Sequence, residues 1–343
     1  MAEADKKSGF SILRLLGWLF GLVFVLAIIA AGAAAGGWYW VNKQFEAEGP
    51  AQAETIVMLP RGSGLIAIAN QLEREGVITD AQIFRWMITI DEGDRDLRAG
   101  EYALPARASM ADIYDILRSG DTVRYPVTFA EGLTSAMIVR VINDAEILTG
   151  EISEIPPEGT LLPETYHVDR GTSRQELLDR MRADQEAVLD ELWDSRAENL
   201  PFETREQAII LASVVEKETG VAAERPRVAA VFVNRMRRGM RLESDPTIIY
   251  GITGGEPLGR GIRRSELDNV NNPYNTYLVD GLPPTPITNP GRDTIAAVLN
   301  PPDTNDLFFV ADGTGGHVFA ETYREHQRNV AAWRRIERQR GRN

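Results

Sequence analysis

Two carboxylates close the run Ser213-Val214-Val215-Glu216-Lys217-Glu218-Thr219-Gly220, directly after the aliphatic stretch Ala208-Ile209-Ile210-Leu211-Ala212. A carboxylate held against aliphatic side chains loses hydration, and its protonated form is favoured. That is how a protein keeps a carboxylic acid able to donate a proton near neutral pH. A solvated helix end is the plainer alternative for the same residues. Thr204-Arg205-Glu206-Gln207 fits a capping box, which predicts a helix running to about Thr219 and stopped by Gly220. At about 100° per residue, Ala208, Leu211, Ala212, Val214 and Val215 centre on one side, and Glu218 falls about 50° from that centre. Glu216 falls about twice as far round. On this wheel Glu218 is carried toward the core, while Glu216 is lateral and free to pair with a nearby arginine.

A second helix is expected from near Ala222, with Val228, Ala229, Val231, Phe232 and Met236 as its apolar residues and Gly239 as its end. It also bears Glu224 and Arg235, which suit a structural ion pair as well as a site. A short extended run, 240–247, then breaks at Asp245-Pro246. Asn272-Pro273-Tyr274-Asn275-Thr276-Tyr277, Gly281-Leu282-Pro283-Pro284 and Asn289-Pro290-Gly291 read as loops. Each alone is ordinary turn chemistry. Together they offer what a carbohydrate site needs: flat rings for sugar faces, and amides and hydroxyls for sugar oxygens.

Composition removes other chemistries. There are no cysteines, so thiolate nucleophiles, disulfides and Cys-ligated metals are out. The net charge of −13 offers no broad basic face for nucleic acid. His167, His317 and His326 are the only histidines, and none stands in an H-E-x-x-H pattern, so neither metal nor cofactor is expected. His317, beside Gly315-Gly316, reads as structural or cleft-edge. Arg334, Arg335, Arg338, Arg340 and Arg342 read as a solvated basic helix end.

These residues need elements to hold them. Residues 15–42 carry no charge, enough for a helix across a hydrocarbon core about 30 Å thick. Lys6, Lys7 and Arg14 precede the span, and Trp38-Tyr39-Trp40 closes it as an interfacial aromatic belt. This predicts a retained anchor with residues 1–14 cytoplasmic. The A-x-A-like triplets Ala31-Gly32-Ala33 and Ala33-Ala34-Ala35 are the cues for the alternative, a cleaved signal peptide. Residues 43–54 read as a short tether. Residues 55–122 alternate strand, helix, helix, strand, helix, a small α+β module. A strand, a Pro-x-Gly turn and a helix with Ile68-Ala69 make it similar to a LysM-like module, a fold associated with N-acetylglucosamine-containing glycans; a ligand-free spacer domain fits too. From 123 to 343 a larger mixed α+β domain is expected, including a strand over 123–129 and a long amphipathic helix over 173–193.

The runs Leu211-to-Gly220, "VAAVFVNRM", "GMRLESDPTIIYG", "NPYNTY", "GLPPTPITNPG" and "LFFVADGTGGH" closely resemble the endolytic murein (peptidoglycan) transglycosylases of the MltG, or YceG-like, family. The resemblance extends over anchor, module and catalytic region, though 251–264 offers no matched motif. It implies a single-pass inner-membrane protein with a periplasmic catalytic domain that cuts glycan strands internally, and peptidoglycan synthases as partners. Its catalytic glutamate falls on Glu218. The implied reaction breaks the β-1,4 bond between N-acetylmuramic acid and N-acetylglucosamine without water and leaves a 1,6-anhydro end. For that reaction Asp245 and Thr247 are expected as orienting groups, and Tyr274 and Asn275 as sugar contacts. Two other readings stay open: a hydrolytic muramidase with Asp245, Glu224 or Glu216 as second carboxylate, and a non-enzymatic peptidoglycan-binding scaffold.

Overall fold

The computed structural model describes residues 9–93 and 97–340; Lys6, Lys7 and Arg342, singled out above, lie outside them. The chain divides into two compact units, Met1–Val123 and Arg124–Asn343, and the fold is mixed α+β.

The first unit begins with α1 (Gly9–Phe45), whose part Leu15–Phe45 is long and apolar enough to cross a membrane. Its apolar side chains, Trp18, Phe20, Phe24 and Trp38 among them, are exposed, as a lipid-facing helix requires. The helix runs three residues past the expected end, because Phe45 is buried against Phe84 with ring centroids 6.4 Å apart. The stretch expected as a free tether is also held: Gly49 N donates to Arg107 O at 3.1 Å, and Arg107 N to Ala51 O at 2.8 Å. At Gly49 a Cβ would stand 2.2 Å from Ala108 O, so only glycine admits that approach.

Beyond it come β1 (Thr55–Leu59), α2 (Leu65–Arg74), α3 (Ala81–Ile90), β2 (Gly100–Leu104) and α4 (Met110–Ser119). The strands pair antiparallel, Thr55 opposite Leu104 and Leu59 opposite Gly100. Val57 and Leu59 from one strand and Tyr102 and Leu104 from the other meet Leu72, Phe84, Ile113 and Leu117 in one core. Asp80 caps α3 by accepting from Gln82 N and Ile83 N, and Ser109 opens α4 with a full capping box.

In the second unit β3 (Arg124–Thr128) leads to α5 (Ser135–Asp144), β4 (Thr165–Asp169) and α6 (Arg174–Asp194). β3 and β4 pair antiparallel and, with α5 and α6, enclose Phe129, Ile138, Ile142, Leu161, Tyr166, Leu178 and Met181. There follow α7 (Arg205–Glu218), α8 (Arg225–Arg237), α9 (Asp245–Thr253), α10 (Arg264–Leu267) and α11 (Arg292–Leu299), and a second core forms in this region. It is built chiefly from α7, α8 and α11, with Leu211, Val215, Val228, Phe232, Ile295 and Val298 at its centre. The hairpin β5 (Phe308–Ala311) and β6 (His317–Ala320) follows, then α12 (Tyr323–Arg340).

The extended run breaks at Asp245-Pro246 as expected, and those residues begin α9, with Pro246 in the first turn. There proline is favourable, since its missing N–H would have no helical partner anyway.

Candidate active site

The capping box forms as expected, with Gln207 N donating to Thr204 Oγ1 at 3.2 Å and Thr204 N to Gln207 Oε1 at 3.2 Å. The wheel that followed from it misjudges the burial. Every residue of α7 from Ala208 to Glu216 is buried, so the helix has no polar face for Glu216 to occupy. Glu216 is 7% exposed, deeper than the half-buried Glu218. Its charge is met from two sides: Arg225 Nη2 lies 3.3 Å from Oε1, and Gly291 N donates to Oε2 at 2.9 Å. Arg225 also pairs with Glu131. A buried carboxylate so compensated is a structural ion pair.

Glu218 is the last residue of α7, where the core opens. The Ser244 hydroxyl donates to its Oε1. Burial pushes this carboxyl up to about 7; the Ser244 hydrogen bond draws it down, Asp245 adds to the rise, and His317 and Arg235 oppose it. Desolvation therefore outweighs the hydrogen bond, the order expected of a carboxyl poised to hold a proton near neutrality.

Ser244 is held in turn. Its N–H donates to Thr276 Oγ1 at 2.9 Å, its carbonyl accepts from Thr247 Oγ1 at 2.7 Å, and the two threonine hydroxyls meet at 2.9 Å. Thr247 is fully buried in this arrangement. Next in sequence, Asp245 Oδ1 accepts from the Tyr277 hydroxyl at 2.8 Å. Asn275 is also fully buried: its Nδ2 donates to Leu267 O at 2.9 Å, and its Oδ1 accepts from Tyr277 N at 3.1 Å. That side chain shapes the loop which delivers Tyr277.

On the other side of Glu218 the chain turns through Thr219, whose hydroxyl donates to Glu224 Oε2 at 3.2 Å. Glu224 bridges to β6, with Oε1 accepting from His317 N at 2.7 Å and Oε2 lying 2.7 Å from His317 Nδ1. Desolvation works to raise the Glu224 carboxyl, but the His317 contacts prevail and hold it below the ordinary range. At Gly316 a Cβ would meet Glu224 Oε1 at 2.6 Å, so any side chain before His317 would push the Glu224 carboxylate aside. Arg235 is buried, with Nε donating to Leu307 O at 2.7 Å and Nη1 to Leu242 O at 2.8 Å and to Glu243 Oε2 at 3.1 Å. It ties α8 to the strand entering β5 and to the segment before Ser244.

Tyr274 lies elsewhere. Its ring packs edge-to-face on Tyr250, centroids 5.0 Å apart, its hydroxyl meets Thr285 Oγ1 at 2.8 Å, and it lines a cavity of 650 Å³ that Glu218 does not border. Ser244 and Tyr277 carry no role in the sequence reading. The only local signal is that Ser244 immediately precedes an Asp-Pro helix start. Among the described residues no group of three or more His, Asp or Glu side chains is arranged to hold a metal ion.

Residues 57–332 match the model of the YceG-like family, and the chain belongs to that family. Among its relatives is a Streptococcus pneumoniae (strain D39) protein named endolytic murein transglycosylase, 29% identical over 90% of this chain and 64% of that protein. The chain thus spans less than two thirds of that relative's length. A Bacillus subtilis (strain 168) protein of the same name is 28% identical over 79% of this chain and 82% of its own. The crystal structure of a yceG-like protein from Listeria monocytogenes is 27% identical, covering 81% of this chain and 99% of that one, with a TM-score of 0.49.

Proposed function

We propose that the chain is an endolytic lytic transglycosylase of peptidoglycan. It cleaves the β-1,4 bond between N-acetylmuramic acid and N-acetylglucosamine within glycan strands and so limits their length. One observation carries this reading: Glu218, at the open end of a buried helix, holds its carboxyl near 7 under the Ser244 hydroxyl. The names of the relatives support the substrate class.

Protonated Glu218 donates its proton to the glycosidic oxygen as the C1–O bond breaks. As carboxylate it then takes the proton of the muramoyl 6-hydroxyl while that oxygen closes on C1. The 1,6-anhydro product forms, no water enters, and Glu218 ends protonated as it began. A glycosidase that activates water needs a second carboxylate. Of the three candidates, Glu216 is matched by Arg225 and Gly291, Glu224 by His317 and Thr219, and Asp245 accepts from Tyr277. These commitments favour a mechanism in which the nucleophile belongs to the substrate.

Asp245 with Tyr277 serves as an orienting pair beside the acid. Thr247 and Asn275 act from beneath, through Ser244 and the Tyr277 loop. Tyr274 stands apart as a flanking contact. We further read α1 as an inner-membrane anchor with its N-terminus cytoplasmic and both units periplasmic, residues 55–122 as a LysM-like glycan-binding module, and wall synthases as partners.

Mass spectrometry of digested glycan strands tests the reaction. Anhydro ends from wild-type protein and none from Glu218→Gln are expected; products one water heavier would establish a muramidase, and equal release by the two forms would leave a scaffold.

A further inference from the structure

The 650 Å³ cavity beside Tyr274 is built by α6, α7, α9 and the loops 157–160 and 285–286. That size is ordinary for a ligand site. Its apolar surface comes from Leu189, Ile209, Pro286 and the Tyr250–Tyr274 pair. Gly159 is required there: it has φ +79°, and a Cβ would strike Ile209 Cγ2 at 2.6 Å and Pro286 at 2.8 Å. Gln185 lines the same cavity at 3% exposure. Its Nε2 donates to Gly159 O at 3.2 Å, and its Oε1 has no hydrogen-bond partner among the described residues. A buried acceptor left unmatched is costly and uncommon, which makes it a mark of a ligand's donor. The charges around it are also one-sided. Among the described residues, Glu158, Glu186 and Glu206 face the space with a single cation, Arg182, which itself lies 3.9 Å from Asp179.

We propose that this cavity recognises a peptide bearing a primary amine on an aliphatic side chain. The methylenes lie along Ile209, Leu189 and the tyrosine pair, the ammonium sits among the three glutamates, and a donor of the ligand meets Gln185 Oε1. Desolvation already raises the Glu158 carboxyl, so an ammonium beside it supplies the counter-charge that burial withholds. Ile209 and Glu218 belong to one helix, nine residues apart, about 13 Å along its axis at about 1.5 Å per residue. Four extended residues at about 3.3 Å each cover that span. A stem peptide carried on a strand bound at Glu218 therefore reaches the cavity; this source, though not the site itself, rests on the proposed function.

Calorimetric titration of the full chain in detergent tests it with sugar-free probes: Nα-acetyl-lysine methylamide, the same molecule acetylated at Nε, and a stem tetrapeptide with a diamino acid at its third position. Saturable binding of the first and third is expected, with Nε-acetylation weakening it about tenfold, the scale of one charged hydrogen bond. Gln185→Leu should weaken it similarly. The exposed pair Glu186→Gln/Glu206→Gln should weaken it several-fold, and decides the matter if the Gln185 variant fails to fold. A tetrapeptide binding tighter than the lysine probe marks the stem peptide as the source; parity marks a lysine of a protein. Absence of saturable binding, indifference to acetylation, or full affinity in the rim variant overturns the proposal. Because no probe contains a glycosidic bond, these results are independent of whether Glu218→Gln abolishes cleavage.

Discussion

The Ser244 hydroxyl donates to Glu218 Oε1, and Ser244 is itself gripped by Thr276 through its N–H and by Thr247 through its carbonyl. The acid at the end of α7 is thereby aimed by the segment that starts α9.

Replacing the acid tests its role most directly. Glu218→Gln keeps the shape and an acceptor for Ser244 but cannot cycle a proton. Turnover of glycan strands should fall about 10²- to 10⁴-fold, the usual weight of general acid–base catalysis. Sedimentation with insoluble peptidoglycan should still report binding.

The raised carboxyl also sets a pH dependence. Proton donation requires the protonated form, so initial rates should decline as pH rises through about 7. Stability follows the same group. Below about 4.5 both folded and unfolded states carry the proton, and the native state pays nothing. Above it the unfolded chain ionises first, and stability is lost as pH rises through about 7. Glu218→Gln should therefore be more stable than wild type by about 1–2 kcal/mol at pH 8, after allowing for partial solvent screening, and no more stable at pH 4. Denaturant melts at the two pH values decide it.

Ser244→Ala removes the hydrogen bond that draws the Glu218 carboxyl down. The alkaline limb of the pH–rate profile should move to higher pH, with the maximal rate lowered about tenfold by lost aim. An unmoved limb with a lower rate would mean the serine merely packs.

Gly316→Ala places a methyl against Glu224 Oε1 and should loosen the Glu224–His317 bridge. A cost of about 1–3 kcal/mol is expected, several degrees in Tm for a unit of this size. Differential scanning calorimetry measures it.

Glu216→Leu leaves Arg225 short of one of its two carboxylates. Losing one partner of a buried pair costs about 3 kcal/mol. Cleavage per folded molecule should persist, separating Glu216 from Glu218 and removing it as a second carboxylate.

The strong local codes were readable in the sequence. Thr204–Gln207 marks a helix start by chemistry confined to four residues, and the helix forms where that mark stands. The apolar run 15–42 likewise declared a helix long and apolar enough to cross a membrane. Burial of the two glutamates was not readable, because a wheel assumes one wet face and α7 has none. Its surroundings come from α8, which follows it directly, and from α11 and the 287–291 loop, both distant in sequence. The same holds for Ser244, 26 residues from Glu218, for Tyr277, and for His317, 93 residues from its partner Glu224. Asn275 looked like a sugar ligand because amides suit sugars, yet an amide equally suits a loop full of open carbonyls, and here the loop took it.

The position of Glu218 as the final residue of α7 has an electrostatic side. The aligned peptide dipoles of a helix leave roughly half a negative charge at its C-terminal end. A carboxylate placed there meets unfavourable potential from the backbone itself, whereas at the opposite end it would be welcomed. The helix thus biases its last side chain toward keeping a proton. No mutation of a neighbouring side chain removes that bias, since it resides in fourteen residues of main chain.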